Sequence, residues 1–200
     1  MATIRVSQAD LAAVDRLLSD IKNGSKKAMV KAINSTSTTM KVQIRKKLAE
    51  TLNLKASRIE QDMSIQKASY DDVRGGVVVS GKPVGLRQFS GKQLKKGVKV
   101  RVYKKNSPTL LYHAYIAQKS GTEHIFWRKY NGPRQSVKPH LAYGKLPKKY
   151  RTPVERLTGP RIEDVLAKEE ILTPIEQQAG DKFSENLMKQ VDEILRRANL

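Results

Sequence analysis

The sequence predicts an α+β fold: N-terminal helices packed on a small, mostly antiparallel sheet, with a helical C-terminal arm. Three observations carry this prediction. Apolar residues recur at helical spacing near both ends of the chain, as in Met40, Ile44, Leu48 and Leu52 and again in Phe183, Leu187, Val191 and Leu195. The middle of the chain instead alternates: Val98, Val100 and Val102 point one way, and Lys99, Arg101 and Tyr103 the other. Turn residues close the strands, as in "GGVVVSG", which reads as a strand ended by a turn.

Thr3–Val6 reads as a short strand. Ser7 and Asp10 then resemble a capping box, in which the hydroxyl satisfies free N–H groups and the acid sits in the first turn. Leu11, Val14, Leu17, Leu18 and Ile21 follow as one helix face, ended by Asn23-Gly24. A longer helix is predicted over Ser25–Leu52. The Ser/Thr run at 35–39 weakens its middle, where a kink or a break would be no surprise, because short hydroxyl side chains compete for backbone bonds. A short helix near Ala56–Asp62 comes next, then strands over Met63–Ser69 and Val73–Ser80 about the polar Tyr70-Asp71-Asp72. Leu110–Ala117 and His124–Lys129 are predicted to pair as a hairpin about Lys119–Thr122, covered on both faces because both strands carry apolar residues on each side.

Residues 130–160 hold Pro133, Pro139, Pro147, Pro153 and Pro160 and read as an extended loop. Pro160–Glu170 looks helical. Thr173-Pro174-Ile175-Glu176 has the form of a helix start, with Thr173 as N-cap and Pro174 in the first turn. Ile175, Ala179, Phe183, Leu187, Val191, Leu195 and Ala198 then form a stripe. The predicted division is an α+β domain over 1–160, with a basic loop at 130–151, and a helical arm over 161–200. No internal repeat or low-complexity tract is present.

Charge is the strongest signal. The 200 residues hold 39 Lys and Arg against 19 Asp and Glu, a net +20. Residues 91–151 carry 16 basic residues and one acid, Glu123, whereas 152–200 carry 7 basic and 10 acidic residues. A segment that basic repels itself unless it meets phosphates or an acidic protein surface. The absence of cysteine excludes disulfides and thiolate metal sites. No apolar run approaches the roughly 20 residues that span a bilayer. With no signal-peptide pattern at the N-terminus, the expected compartment is the cytosol, with no membrane partner.

Catalytic patterns are weak. No G-x-x-x-x-G-K-[ST] loop occurs, and the basic middle has neither an Asp nor a nucleophile elbow. A metal site would have to draw on His113, Glu123, His124 and His140, but Glu123 and His124 are adjacent along a strand and point to opposite faces. A nuclease needs clustered carboxylates, whereas the basic region has only Glu123 and Asp71-Asp72 fall in a predicted turn. The chain is therefore expected to be no enzyme and to take no cofactor or metal. Phe126 and Trp127 could stack on bases, but a lone Trp in a hairpin is expected to be core.

The segments "VVVSGKPVGLRQFSGKQLKKGVKVRVYKK", "LLYHAYIAQKSGTEHIFWRK" and "TPVERLTGP" occur in an order that resembles the phage minor tail protein Z family. The stretch "AINSTSTTMKVQIRKKLAETLNLKASRI" resembles that family's N-terminal helical part, so the resemblance covers roughly residues 25–165. The loop at 130–150 is a departure, since the family usually passes quickly from "RK" to the proline motif.

The resemblance implies a structural tail-completion protein of the virion. It would act at the head-proximal end of the tail after assembly in the host cytoplasm, and would be needed for head–tail joining. It also implies a ring of copies, sixfold, on the DNA channel. The neighbours would be a tail terminator or tail tube protein, head–tail connector proteins and double-stranded DNA. Independently of it, the basic residues expected to meet DNA or an acidic partner are Lys92, Lys95, Lys96, Lys99, Arg101, Lys104, Lys105 and Arg128 in the strands and turns. In the loop they are Lys129, Arg134, Lys138, Lys145, Lys148 and Lys149. Phe183, Leu187, Val191 and Leu195 are expected to dock in the assembly, on the chain's own core or on a neighbouring subunit or partner. The alternative reading is a stand-alone basic DNA-binding protein.

Overall fold

In the computed structural model, residues 14, 16–19, 21, 23–128 and 154–198 are described. The predicted strand at Thr3–Val6, its capping box and the loop at 130–151 lie outside them. The chain is an α+β protein whose residues divide into two compact units. One contains residues 1–51, 55–82 and 160–200; the other contains 52–54 and 83–159. A unit boundary falls at 159/160, beside the expected 160/161, but residues 160–200 join the N-terminal residues in one unit. The C-terminal helix is not an appended arm but belongs to the same unit as the N-terminal helix.

That unit rests on two long helices, α1 (Gly24–Thr51, 28 residues) and the helix that ends the chain (Glu169–Arg197, 29 residues). In α1 every fourth residue from Ala28 to Leu48 is buried: Ala28, Ala32, Thr36, Met40, Ile44 and Leu48. Such a line drifts by about 40° per step, so it winds around the helix. Its first half packs the small Ala28 and Ala32 against Phe183, Leu187 and Val191. Its second half, Met40 and Ile44, lies with Ile175, Ala179 and Val77 around a small cavity. As α1 runs forward its partners run backward, so the two helices are antiparallel.

The Ser/Thr run does not break α1, which is continuous through residues 35–39. The hydroxyls turn back onto their own helix instead of competing with it. Ser37 Oγ donates to the Ile33 carbonyl at 2.7 Å, Thr38 to Asn34 at 3.0 Å and Thr39 to Ser35 at 3.2 Å. Thr36, fully buried, accepts a hydrogen bond from Asn186 Nδ2 at 2.9 Å. Asn34 reaches outward, with Nδ2 donating to the Ala68 carbonyl and Oδ1 accepting from the Ala68 N–H, at 3.1 and 2.8 Å. This clamp holds the segment between strands β1 (Met63–Gln66) and β2 (Gly76–Val79), which pair antiparallel. A side chain at Gly75 would stand 2.8 Å from both the Ala68 nitrogen and Ile33 Cγ2, so only glycine fits beside the clamp.

Between α1 and β1 lies α2 (Ala56–Gln61), with Ile59 fully buried and Arg58 paired to Asp62 at 2.9 Å. After 160 come α3 (Ile162–Leu166) and the long helix, here α4. The helix start expected at Thr173-Pro174 is corrected: α4 begins a turn earlier and contains Pro174. Burial of Ile171 together with Ile175 favours the extra turn, although Pro174, the sixth residue of the helix, can donate no hydrogen bond to the Glu170 carbonyl. Glu169 and Glu170 in the first turn and Arg196 and Arg197 in the last match the helix dipole.

The second unit holds two three-stranded antiparallel sheets, so the described residues form three small sheets where one was expected. The first is β3 (Lys92–Leu94), β4 (Gly97–Val100) and β5 (Thr109–Tyr112). The second is β6 (Tyr115–Lys119), β7 (Thr122–Arg128) and β8 (Val154–Arg156). Residues 110–117, expected as one strand, are split because His113 takes a left-handed backbone, φ 62°, with its N–H bonded to the Lys96 carbonyl at 3.2 Å. The predicted alternation over Val98–Lys104 holds to Val100, after which the chain turns and Tyr103 makes an isolated bridge to Leu52. Phe89 and Val98 are fully enclosed, and Ile125 and Phe126, on opposite faces of β7, are both buried, as the hairpin reading expected.

The buried Thr36–Asn186 pair generates a test of how α1 and α4 are held in register. Thr36→Val alone should cost about 1–3 kcal/mol, because it leaves the Asn186 amide buried without a partner. Adding Asn186→Leu should recover much of that loss. A urea-unfolding double-mutant cycle measures the coupling, and additive costs would show that the pair does not act as a unit.

Candidate partner-binding surface

Lysine is concentrated on one hairpin of the second unit. β3 and β4 are joined by a two-residue turn, Lys95-Lys96, and pair Lys92 with Lys99, Gln93 with Val98 and Leu94 with Gly97. Gly97 is fixed by geometry. Its φ is +155°, and a Cβ there would stand 2.0 Å from the Leu111 carbonyl oxygen. Lys92 and Lys99 are opposite neighbours on adjacent strands, an arrangement that costs a few tenths of a kcal/mol to about 1 kcal/mol in like-charge repulsion. Lys92, Lys95, Lys96 and Lys99 are all exposed, and none forms an ion pair with a described residue.

The two faces of this sheet differ. Val98 and Val100 point inward and are buried, as the alternation predicted. The outward face takes Lys92, Lys99 and Leu110 in one row and Leu94, Gly97 and Tyr112 in the next. Leu94 is 40% exposed and Tyr112 is 62% exposed, so this basic face also carries apolar surface. Both residues were missed as site candidates. The signal was in the sequence, since Leu94 shares strand parity with Lys92, but the break at His113 had to be known to place Tyr112 opposite Gly97.

The other expected basic residues are spread more widely. Arg101 is exposed, but its guanidinium donates to the backbone carbonyls of Asn106, at 2.9 Å, and Lys104. Lys104 and Lys105 are exposed in the turn after β4, and Arg128 is exposed at the end of β7. Lys129, Arg134, Lys138, Lys145, Lys148 and Lys149 lie outside the described residues.

The two acids of the unit are already engaged. Glu123 binds Arg87 through both Nε and Nη2 at 2.9 Å, and Arg87 also donates from Nη1 to the Gly91 carbonyl. Glu155 accepts the Trp127 indole N–H at 3.4 Å across β7 and β8. Glu123 and His124 sit on opposite faces, because Glu123 lies opposite Gln118 and His124 opposite Ala117 in consecutive rows. His124 instead meets Phe126 edge to face, with ring centroids 6.0 Å apart. Its burial, then the Arg156 and Lys119 cations, lower the imidazole pKa below its ordinary 6.5.

Trp127 corrects an expectation. It was predicted to be core, but the residue is 42% exposed, whereas Phe126 beside it is buried. Of the two places expected for the stripe at the chain's end, the structure shows the chain's own core. Phe183, Leu187 and Val191 are buried against α1, and Leu195 packs against the same cluster half-buried. These side chains hold the first unit together and are not free for another subunit.

Among the described residues, no three His, Asp or Glu side chains are grouped to hold a metal, and no helix is long and apolar enough to cross a membrane. Comparison with protein-family models, curated proteins and solved structures gave no match.

Two outcomes follow for β7. Trp127→Ala should change stability by under about 1 kcal/mol, whereas Ile125→Ala should cost about 2–5 kcal/mol in thermal or urea unfolding. Because the folded state binds a proton at His124 less readily than the unfolded chain, stability should be fully present above pH 6.5 and fall as pH drops through it. His124→Gln should flatten that part of the melting-temperature profile.

Proposed function

We propose that this chain is a structural phage protein that completes the tail at its head-proximal end so that head and tail can join. The observation that carries the reading is the ordered series of motifs across roughly residues 25–165. The lysine hairpin supports it: a cluster of exposed cations without carboxylates of its own suits a protein that works against an anionic neighbour. In this reading copies form a ring on the tail axis. The neighbours are a terminator or tube protein below, connector proteins above and double-stranded DNA in the channel. Glu123 supports a structural role for the opening strand of β7, since its carboxylate is held by Arg87.

Electron micrographs of tails assembled with and without the protein test the reading. Tails lacking it should fail to join filled heads, and adding the purified chain should restore joining. Joining that proceeds equally well without it would sink the proposal. A stand-alone DNA-binding protein would instead bind duplex as a monomer or dimer and leave tails unaffected. Neutralising Lys92, Lys95, Lys96, Lys99 and Arg101 together should weaken attachment and flatten its dependence on salt. An unchanged slope would remove this hairpin from the contact face.

A further inference from the structure

The sheet of β6, β7 and β8 sorts its charged side chains by face. Alternation along the strands puts Glu123 and Glu155 on one face, and Lys119, His124, Arg128 and Arg156 on the other. The full charges of this second face are all positive. Lys119, Arg128 and Arg156 are exposed, and none of them forms an ion pair with a described residue. These cations have no counter-charge on their own side of the sheet.

Arg156 is held in a particular place on that face. It pairs with Phe126, yet its guanidinium leaves that row. A Cβ at Gly85 would stand 2.8 Å from Arg156 Nη2 and 3.6 Å from both Cζ and Nε, so the guanidinium lies over the Gly85 backbone and helps bury it. Gly85 bridges Thr158, two residues beyond Arg156 in the chain. Because β8 runs antiparallel to β7, the step from Arg156 to Thr158 leads from the row of Phe126 toward that of His124. The guanidinium is thereby carried alongside His124. Thr158, exposed and opposite Gly85, stands next to it. Neither Arg156 nor Thr158 has a side-chain hydrogen bond to a described residue. The His124 ring is half-buried against Phe126, and its burial, then the Arg156 and Lys119 cations, lower its pKa.

We infer that this face is a phosphate site centred on Arg156. The guanidinium fork takes two oxygens of the phosphate, as it does wherever such groups meet. The Thr158 hydroxyl and the His124 imidazole donate to the remaining oxygens, and Lys119 adds charge from the next row. A tetrahedral phosphate has oxygens enough for all three donors, whereas a carboxylate has two and would leave donors unmet. The chemistry is the same for a free phosphate and for a phosphate in a nucleic-acid backbone. The site is separate from the lysine hairpin and does not depend on the assignment to a tail.

NMR of the imidazole signals in the full chain tests it, with His124 assigned through His124→Gln and inorganic phosphate titrated at constant ionic strength. The His124 signals should shift saturably and the ring's pKa should rise, because a bound dianion favours the imidazolium that Arg156 and Lys119 disfavour. Arg156→Gln should weaken binding about tenfold or more, and Thr158→Val about threefold. Gly85→Ala tests the seat of the guanidinium. Its φ of −59° suits alanine, and the added methyl meets only the end of a flexible side chain. Melting should therefore stay unchanged while phosphate binding falls as in Arg156→Gln. Lys92→Gln with Lys99→Gln, on the other sheet, should leave phosphate affinity unaltered. The site is overturned by the absence of a saturable shift, by acetate binding as tightly as phosphate, or by Arg156→Gln or Gly85→Ala binding like the wild type. It is equally overturned if the Lys92 and Lys99 changes cost as much as Arg156→Gln, since net charge alone would then explain the binding. A short DNA duplex that produces the same shift identifies a backbone phosphate as the ligand. A duplex that leaves His124 unmoved, where inorganic phosphate moves it, assigns the site to free phosphate.

Discussion

The antiparallel packing of α1 and α4 is the constraint on which the first unit depends. Each helix buries a line of residues at four-residue steps, and neither line has enough apolar surface elsewhere in its own segment to cover it. The partners lie far apart in sequence: Thr36 and Asn186 are separated by 150 positions. Closing so long a loop is entropically unfavourable, and the burial of Phe183, Leu187 and Val191 against Ala28 and Ala32 must offset it. Each fully buried side chain of that size contributes about 1.5–3 kcal/mol. The Thr36–Asn186 hydrogen bond adds little net energy but opposes slippage, since a one-turn shift would leave both groups buried and unpartnered.

The polar run in the middle of α1 shows why this register is specific. Its short side chains are distributed around the helix and each direction has a different task. Thr36 faces α4, Asn34 holds the backbone at Ala68, and Ser37 and Thr38 bond back to their own helix. A run of leucines there would bury more area yet would permit several registers. The same segment therefore sets both the helix pair and the β1–β2 hairpin packed near it.

Much of this was legible in the sequence, and the failures have physical causes. The helices, the valine alternation and the β6–β7 hairpin follow from periodicity, which is local. The position of Trp127 does not: whether a strand residue is covered depends on what lies over that face, and periodicity only says which residues share it. Ile125 and Trp127 share a face, yet one is enclosed and the other open. The break at His113 was hidden because histidine gives no turn signal as glycine would. The start of α4 was misplaced because Thr173-Pro174 satisfies every local rule for a helix start, while burial of Ile171 favours one turn more. The basic surface was legible from charge alone, but its apolar component needed strand register.

The charge distribution also bears on how the β3–β5 face would hold a partner. Lys92 and Lys99 stand opposite each other and Lys95 and Lys96 fill the adjoining turn, all of them exposed. An exposed ion pair contributes about 0–1 kcal/mol, so no one of these cations would fix an anionic neighbour. Several charges met at once would, and their sum would fall as salt screens it. A face of this kind selects partners by the sign of their charge and speeds encounter more than it tightens the complex.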